Sequence, residues 1–139
     1  MLRAFIKYAD GRTSKDSSVG SLRAAVADRG CVFWLDMYKP DDEEYSLLDE
    51  VFGFHPLAIE DSIKYLQRPK LEYYPADLAG GEGYFYMVIH GPDLETFRQK
   101  LRTKELDIFM SGRYLVTIHE EAMHSAEEML RRADADPAL

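Results

Sequence analysis

The stretch FGFHPLAIEDSIKYLQRPK, residues 52–70, predicts a short helix between two prolines. Pro56 has a backbone dihedral angle that suits the first helical position, and a helix cannot continue through Pro69. Successive helical residues are turned by about 100°, so apolar residues three and four apart share one face. We expect that face to pack on the core. Its members are Pro56, Ile59, Ile63 and Leu66.

Two adjacent acids, Glu60 and Asp61, lie on the same predicted helix. Asp61 is about 200° from Ile59 around the helix and therefore points away from the expected core. Glu60 lies on the flank, where it can form a weak surface ion pair with Lys64 one turn later. We expect Asp61 to be exposed and to have no local partner. An exposed aspartate on a short helix is ordinarily only solvated.

The first 40 residues predict a strand, a helix and a second strand. Residues 2–8 predict the first strand, and residues 21–28 a brief helix with Ser21 as its cap and Gly30 as its stop. Residues 31–38, CVFWLDMY, form a continuous apolar run that is typical of a strand covered on both faces. A helix should follow Pro40, because carboxylates favour a first turn. Its apolar stripe is Tyr45, Leu48, Val51 and Phe52.

The second half of the chain predicts short strands rich in aromatic and β-branched residues. These strands are residues 70–74, 84–90, 106–110 and 114–119, and the last two should form a hairpin. Residues 120–132 favour a closing helix. The expected fold class is α/β (α+β mixed): a mixed, largely antiparallel sheet packed between helices, an α/β/α sandwich.

Composition limits the classes of function. The chain has 139 residues, 46% of them hydrophobic, which suffices for one compact domain. A net charge of −8 argues against nucleic acid as a partner. The single cysteine, Cys31, fits a reducing cytoplasmic setting, and no apolar window is long enough to span a bilayer. We expect a soluble domain over residues 1–132, with 133–139 as a frayed tail or the boundary of a longer natural protein.

Two segments carry a family resemblance. FGFHPLAIEDSIKYLQRPKLEYY is similar to the CorA pattern of a Phe-Gly turn, His-Pro-Leu, an acidic pair, Gln-Arg-Pro-Lys and an acidic-aromatic strand. ELDIFMSGRYLVTIHE resembles the hairpin of the same family, in which a Tyr-Leu-Val-Thr strand ends in histidine. Together they cover residues 52–120, about half of the chain. The first 40 residues match only in their order of strand and helix.

The resemblance implies a domain of a divalent-cation transporter. CorA-type proteins are homopentameric membrane channels for Mg²⁺ and related ions, with a cytoplasmic N-terminal sensor domain, a stalk helix and two membrane helices. The stalk, the membrane helices and the Gly-Met-Asn motif of the pore are absent from these 139 residues. The chain would thus be a regulatory domain on the cytoplasmic face of the membrane, joined to the membrane only through a C-terminal region, and not itself conducting.

The resemblance also implies a metal site. The acid that follows His-Pro-Leu in the family binds a regulatory divalent ion between subunits, and it corresponds to Asp61, with Glu60 beside it. The second ligand belongs to the stalk, so Asp61 would be half of a weak Mg²⁺ site. Co²⁺, Ni²⁺ and Zn²⁺ remain possible ions, and the direction of transport stays open. The alternative is a free-standing cation- or protein-binding module of the same fold.

Enzyme motifs are weak in this chain. His119 and His124 are five residues apart and cannot share one helical face as a zinc pair. The glycine-rich residues 77–83 lack the Gly-Lys-Ser/Thr ending of a phosphate-binding loop and should form a turn. The remaining acids, among them Asp77 and Asp93, are scattered along the chain. We therefore predict no catalytic activity and leave a metal-dependent hydrolase as the least favoured reading.

Several residues are expected to have structural roles. Cys31 and Trp34 should pack in the core, and His55 should cap or pack at the start of the helix at Pro56. Arg68 should tie the end of that helix to an acid such as Glu72.

Overall fold

A computed structural model describes residues 1–64, 67–76, 81–92 and 103–135. The helices and strands in chain order are β1 Leu2–Lys7, β2 Thr13–Ser14, α1 Val19–Ala27, β3 Val32–Tyr38, α2 Asp42–Glu50, α3 Pro56–Ile63, β4 Lys70–Tyr74, β5 Tyr84–Pro92, β6 Thr103–Met110, β7 Tyr114–His119 and α4 His124–Ala135. No helix within these described ranges is long and apolar enough to cross a membrane.

The strands form one seven-stranded sheet in the order β2-β1-β3-β7-β6-β5-β4. The pairing of β3 with β7 is parallel, and the other neighbours are antiparallel. The predicted fold class, a mixed and largely antiparallel sheet packed with helices, is confirmed. The predicted hairpin is the β6–β7 pair.

The two faces of the sheet differ in how they are covered. Side chains alternate between faces along a strand, so the register assigns each residue to one face. The covered face packs against α1, α2 and α3, and its side chains form the main core. It includes Ile6, Leu35, Met37, Tyr86, Val88, Phe109 and Val116, each at most 2% exposed. The opposite side, here called the open face, is only partly covered, by Met123 and by Ala126 and Leu130 of α4.

Helix α1 begins earlier than the sequence suggests. Its N-cap is Ser18, whose side chain accepts a hydrogen bond from the backbone N of Ser21 at 3.2 Å. Ser21 is therefore inside the helix and is not its cap. The helix ends with Asp28 as its C-cap, and Gly30 is not the stop. Both serines suit a cap by residue type, and only the path of the loop before Val19 selects the first of them.

Helix α2 follows the prediction closely. Asp41 is the N-cap, and its carboxylate accepts from the backbone N of Glu44 at 2.7 Å. Glu44 returns the contact by accepting from the backbone N of Asp41 at 3.2 Å, which completes a capping box. Tyr45 and Leu48 are buried as expected.

The predicted apolar stripe of α3 is confirmed only at Ile59, which packs partly buried against the core, and is wrong at Pro56 and Ile63. Ala58 and Ser62 face the core, Ile59 is half-buried, and Ile63 is 52% exposed. Pro56 is also exposed, and Leu66 lies outside the described residues.

The rotation of α3 is set at its N-terminal end. Phe54 stacks on Phe109 with ring centroids 4.1 Å apart, and the backbone N of His55 donates to the Tyr84 hydroxyl at 2.7 Å. These contacts fix how the chain enters the helix. The small Ala58 side chain then lets the helix approach the sheet closely. Periodicity alone carries neither piece of information.

The other differences are at element ends. β2 was missed because two residues are too short for a periodic pattern. Strand β3 begins one residue later than predicted, at Val32. Strand β5 continues beyond the predicted end, to Pro92, and β6 begins before the predicted start, at Thr103. Helix α4 begins at His124 and not at residue 120. Before it, the backbone O of Ala122 accepts from Lys104 Nζ at 2.8 Å, which holds this irregular segment against the start of β6.

Candidate functional site

Asp61 lies in the last turn of α3 and has a partner that the sequence analysis did not anticipate. Its carboxylate forms an ion pair with Lys70 Nζ at the start of β4. Asp61 is partly exposed, with 26% of its side-chain surface accessible. The expectation that it has no local partner is therefore wrong. The two residues are nine positions apart and meet because β4 runs beside the end of α3, a contact that helical spacing cannot predict.

Lys70 holds a second carboxylate. Its Nζ is 3.1 Å from Glu72 Oε1, and Glu72 Oε2 accepts from the Tyr74 hydroxyl at 2.8 Å. The pKa of Glu72 is lowered most by the hydrogen bond from Tyr74 and next by the hydrogen bond from Lys70. Burial opposes the charge of Lys70, but its contacts with Asp61 and Glu72 outweigh burial and raise its pKa. Glu72 is thus tied to Lys70 and Tyr74, while the predicted partner Arg68 is exposed.

Glu60 forms the expected surface pair. Its Oε1 lies 2.9 Å from Lys64 Nζ, and both side chains are more than half exposed. We call Glu60, Asp61, Lys64, Lys70 and Glu72 together the α3 corner. Three carboxylates and two ammonium groups give this corner a surplus of one negative charge.

The α3 corner fits a hard cation only in part. Carboxylate oxygens are the ligands that Mg²⁺ prefers, and Mg²⁺ usually keeps several waters beside one or two carboxylates. The described parts of the chain contain no group of three or more His, Cys, Asp or Glu side chains placed to hold a metal. A divalent ion that approaches Asp61 must also displace Lys70 or share the carboxylate with it. The corner can thus supply ligands but not a full coordination shell.

The histidines have other contacts. His55 is the N-cap of α3, and its Nδ1 accepts from the backbone N of Leu57 at 3.1 Å, as predicted. His119 ends β7 and is buried, whereas His124 is exposed on α4. The two do not form a pair on one helix, in agreement with the spacing argument.

A buried polar network on the open face was missed by the sequence analysis. Asp36, in the middle of β3, is fully buried and contacts His119 Nε2 at 2.9 Å and Arg3 at 2.7 Å. Its Oδ1 also accepts from the Thr117 hydroxyl, which in turn accepts from Trp34 Nε1 at 2.9 Å. The signal available in the sequence was a single acid inside an otherwise apolar run.

Ionic contacts outweigh burial in this network. Burial works against charge on Asp36, but hydrogen bonds from His119 and Thr117 lower its pKa. Burial likewise works against charge on His119, and the contact with Asp36 raises its pKa. Arg3 also pairs with Glu127 of α4 at 3.0 Å, so the network fastens α4 to the sheet.

A second missed residue is Arg113 in the β6–β7 turn. Its guanidinium donates to the backbone oxygens of Ala25, Val26 and Asp28 at the C-terminal end of α1. It also pairs with Glu82. These contacts satisfy helix carbonyls that have no partner within the helix. This role could not be predicted from local sequence, because Arg113 is 85 to 88 positions away from its partners at the end of α1.

The remaining predictions have mixed outcomes. Cys31 is fully buried, as expected, and Trp34 is only half-buried. Trp34 lies in an apolar groove of about 460 Å³ between the open face and the end of α4. The prediction for the glycine-rich turn cannot be compared, because residues 77–80 and Asp93 lie outside the described residues.

Sequence comparisons connect the chain with metal-ion transporters. The family model described as "CorA-like Mg2+ transporter protein" matches residues 30–138. The putative metal ion transporter YfjQ of Bacillus subtilis is 40% identical over 107 residues, which are 77% of this chain and 30% of that protein. The manganese resistance protein MNR2 of Saccharomyces cerevisiae is 34% identical over 70 residues, which are 50% of this chain and 7% of that protein.

Solved structures share the fold. The full-length CmaX protein superposes with a TM-score of 0.69 at 18% identity, over 96% of this chain and 38% of that one. The soluble domain of CorA from Methanocaldococcus jannaschii superposes with a TM-score of 0.63 at 18% identity, over 97% of this chain and 46% of that one. The chain therefore spans less than half the length of these relatives.

Proposed function

The chain belongs to the family of CorA-like Mg²⁺ transporter proteins, and we propose that it is the regulatory domain of a divalent-cation transporter. The family is one of transporters and not of enzymes. Because the chain spans only 30% of its Bacillus relative, ion conduction is assigned to the rest of a longer protein. In this proposal the domain senses the ion on the cytoplasmic face of the membrane and biases the channel toward its closed state.

The α3 corner is the observation that carries the proposal. Asp61 and Glu72 both reach one ammonium group, and Glu60 adds a third carboxylate nearby. A divalent ion brings two positive charges where Lys70 brings one, so it can compete for Asp61 despite the existing ion pair. An all-oxygen ligand set favours Mg²⁺ or Mn²⁺ over Zn²⁺, which prefers imidazole and thiolate. Mg²⁺ is accordingly the proposed regulatory ion.

The site is proposed to lie between subunits. The corner offers too few ligands for a closed coordination shell, and a neighbouring subunit of a homopentamer would supply the rest. The partial exposure of Asp61, 26%, leaves its carboxylate accessible from outside the domain. A shared site of this kind links ion binding to the contact between subunits, and that link is what a gating sensor requires.

Ion binding is tested first on this chain by nuclear magnetic resonance. Mg²⁺ is titrated into isotope-labelled protein at constant ionic strength, and we expect weak, saturable shifts of the amides around Asp61 and Lys70. Asp61→Asn should abolish them. Glu50→Gln is the matched control, because it removes one exposed carboxylate from the end of α2. Equal shifts at the corner in wild type and Asp61→Asn would contradict the assignment of Asp61.

Gating is tested in the longer protein that carries this domain. Mg²⁺ should protect the wild-type transporter against limited proteolysis and lower its ion flux. Asp61→Ala should require more Mg²⁺ for both effects. If Mg²⁺ protects and inhibits both proteins equally, the regulatory role of Asp61 is refuted.

A further inference from the structure

A small cavity lies beneath the C-terminal end of α3, on the covered face of the sheet. Its volume is about 10 Å³, close to the minimum for one water molecule. The polar residues that line it are Tyr45, Ser62, Lys64, Glu105, Asp107, His119 and Glu120. The His119 ring itself is on the open face, where its Nε2 contacts Asp36. Such a concentration of acids around so small a space requires a positive charge or a proton.

Asp107 is the least satisfied of these acids. It is 2% exposed, and its Oδ2 accepts from the Tyr86 hydroxyl at 2.8 Å. Its Oδ1 is buried and has no hydrogen-bond partner within the described part of the chain. A buried carboxylate oxygen without a partner is costly, so some group must compensate it.

Glu105 increases the cost of charge on Asp107. The two are separated by one residue on β6 and therefore point to the same face. Glu105 is 8% exposed, and its Oε1 accepts from the backbone N of Gln67 and lies 4.0 Å from His90 Nε2. Two adjacent buried carboxylates repel each other when both are ionised.

The lysines around the pair are engaged with other groups. Lys64 pairs with Glu60, and Lys70 pairs with Asp61 and Glu72. Lys104 is on the opposite face and donates to a backbone oxygen. Among the described residues, Lys70 offsets charge on Asp107 only in part and His90 is 4.0 Å from Glu105. Full compensation of the pair therefore calls for a bound ion or a proton.

The geometry favours the proton. A hydrated Mg²⁺ ion does not fit a space of about 10 Å³. No three-ligand metal group exists among the residues that the structure describes, and a proton needs only one oxygen. We propose that Glu105 and Asp107 form a proton-binding site that holds one proton at neutral pH, carried by Asp107. This site is separate from the α3 corner, and it stands whether or not Asp61 binds a metal.

The groups that face Asp107 support this assignment. Burial, and to a smaller extent Glu105, raises the pKa of Asp107 to about 8, while Tyr86 and Lys70 oppose the rise. Tyr45 of α2 donates to Glu120 Oε1 at 3.0 Å, and burial raises the pKa of this tyrosine as well. Both tyrosines are therefore neutral donors over the range in which Asp107 titrates.

The proton is coupled to α3, because the end of that helix forms the roof of the cavity. Loss of the proton places two charged carboxylates beneath Ser62 and Lys64. Repulsion and entry of water then loosen the last turn of α3, the turn that carries Asp61. A rise in pH is thus transmitted to the α3 corner without a change in the corner itself.

The direct test uses the wild-type chain, with a chelator present to remove divalent ions. The ¹³C shift of the Asp107 side-chain carboxyl is followed from pH 5 to pH 10. We expect a protonated carboxyl at pH 7 and a midpoint near pH 8. An ionised Asp107 at pH 7 overturns the proposal. So does a carboxyl that titrates normally until a divalent ion is added, because an ion and not a proton would then occupy the site.

The second test follows stability. The folded-state pKa of Asp107 lies above its unfolded value, so the folded state binds the extra proton between the two values. The folding equilibrium constant should therefore fall as pH rises toward 8, by up to about tenfold per pH unit. Asp107→Asn should remove this component, and Glu50→Gln should keep it. An unchanged slope in Asp107→Asn overturns the proposal. If that variant does not fold, the carboxyl titration of the wild type decides.

Discussion

The covered face and the open face of the sheet are built from the same strands but have different surroundings. On the covered face, α1, α2 and α3 bury nearly every apolar side chain. On the open face, α4 covers only a part. Large apolar side chains remain exposed there, namely Val32, Leu71, Tyr73, Phe85, Ile89 and Met110, which are 38% to 64% accessible.

The apolar pattern of a strand thus indicates how many of its faces are covered in the complete assembly. The apolar run of β3 is typical of a strand covered on both faces, and the described helices complete only the first layer. Exposed apolar side chains gathered on one face are characteristic of a contact with protein, with a membrane or with a ligand. Three predictions test the comparison.

The largest loss of stability is expected from a substitution in the buried network beneath α4, where that helix covers the open face. Asp36→Ala leaves Arg3 and His119 without their shared carboxylate in a buried position. The free energy of unfolding should fall by about 4 kcal/mol, because a buried charge loses its partner. Chemical denaturation near pH 6 measures this. A loss below about 1 kcal/mol would mean that the network is solvated and that α4 is not fastened to the sheet.

The same variant should change the pH dependence. Asp36 has a lowered pKa, so its contribution is present above the unfolded value and is lost as pH falls through the folded one. His119 has a raised pKa, so its contribution is complete below 6.5 and is lost as pH rises through the folded value. Asp36→Ala should flatten both changes and leave the loss of stability between the unfolded pKa of Asp107, 3.8, and its folded value of about 8.

The second prediction compares one leucine on each face. Leu35 on the covered face is fully buried, and Leu71 on the open face is 64% exposed. Leu35→Ala should lower the free energy of unfolding by about 3 kcal/mol through the cavity it leaves. Leu71→Ala should change it by less than about 0.5 kcal/mol. Equal losses in the two variants would show that the open face is covered in solution.

The smallest effect on stability is expected from polar substitutions on the open face. Phe85→Thr combined with Ile89→Thr places a β-branched residue at both positions of β5 while removing exposed apolar surface. We expect a change in stability of less than about 1 kcal/mol, with reduced binding of a hydrophobic dye and less self-association. Phe109→Thr on the covered face is the control and should unfold the chain. Unchanged dye binding in the double variant would place the exposed apolar surface elsewhere.

The sequence predicted those parts of the fold that depend on local pattern. The strands at residues 70–74 and 114–119 are correct to the residue, since alternation and turn residues mark their ends. The acidic first turn of α2 and the capping role of His55 follow from residue type and position. The CorA resemblance rested on two quoted segments and is confirmed by the family match.

The sequence failed where a residue acts on a distant part of the chain. Arg113 caps α1 from about 87 positions away, and Asp36 meets His119 across 83. Both contacts arise only when β3 and β7 lie side by side. The start of α4 was misplaced for a related reason: glutamates after β7 suit a helix by propensity, and the contact of Ala122 with Lys104 holds that segment in an irregular conformation.

For the proposed site, local sequence is enough to place Glu60 and Asp61 together on a short helix and to identify a transporter family. Which side of that helix meets the core, the pairing of Lys70 with Asp61, and the burial of Asp107 beside Glu105 all depend on how distant parts of the chain pack. The physical reason is the range of the interactions. Helix formation and capping act over a few residues, whereas the orientation of a helix and the charge state of a buried acid depend on what packs against them.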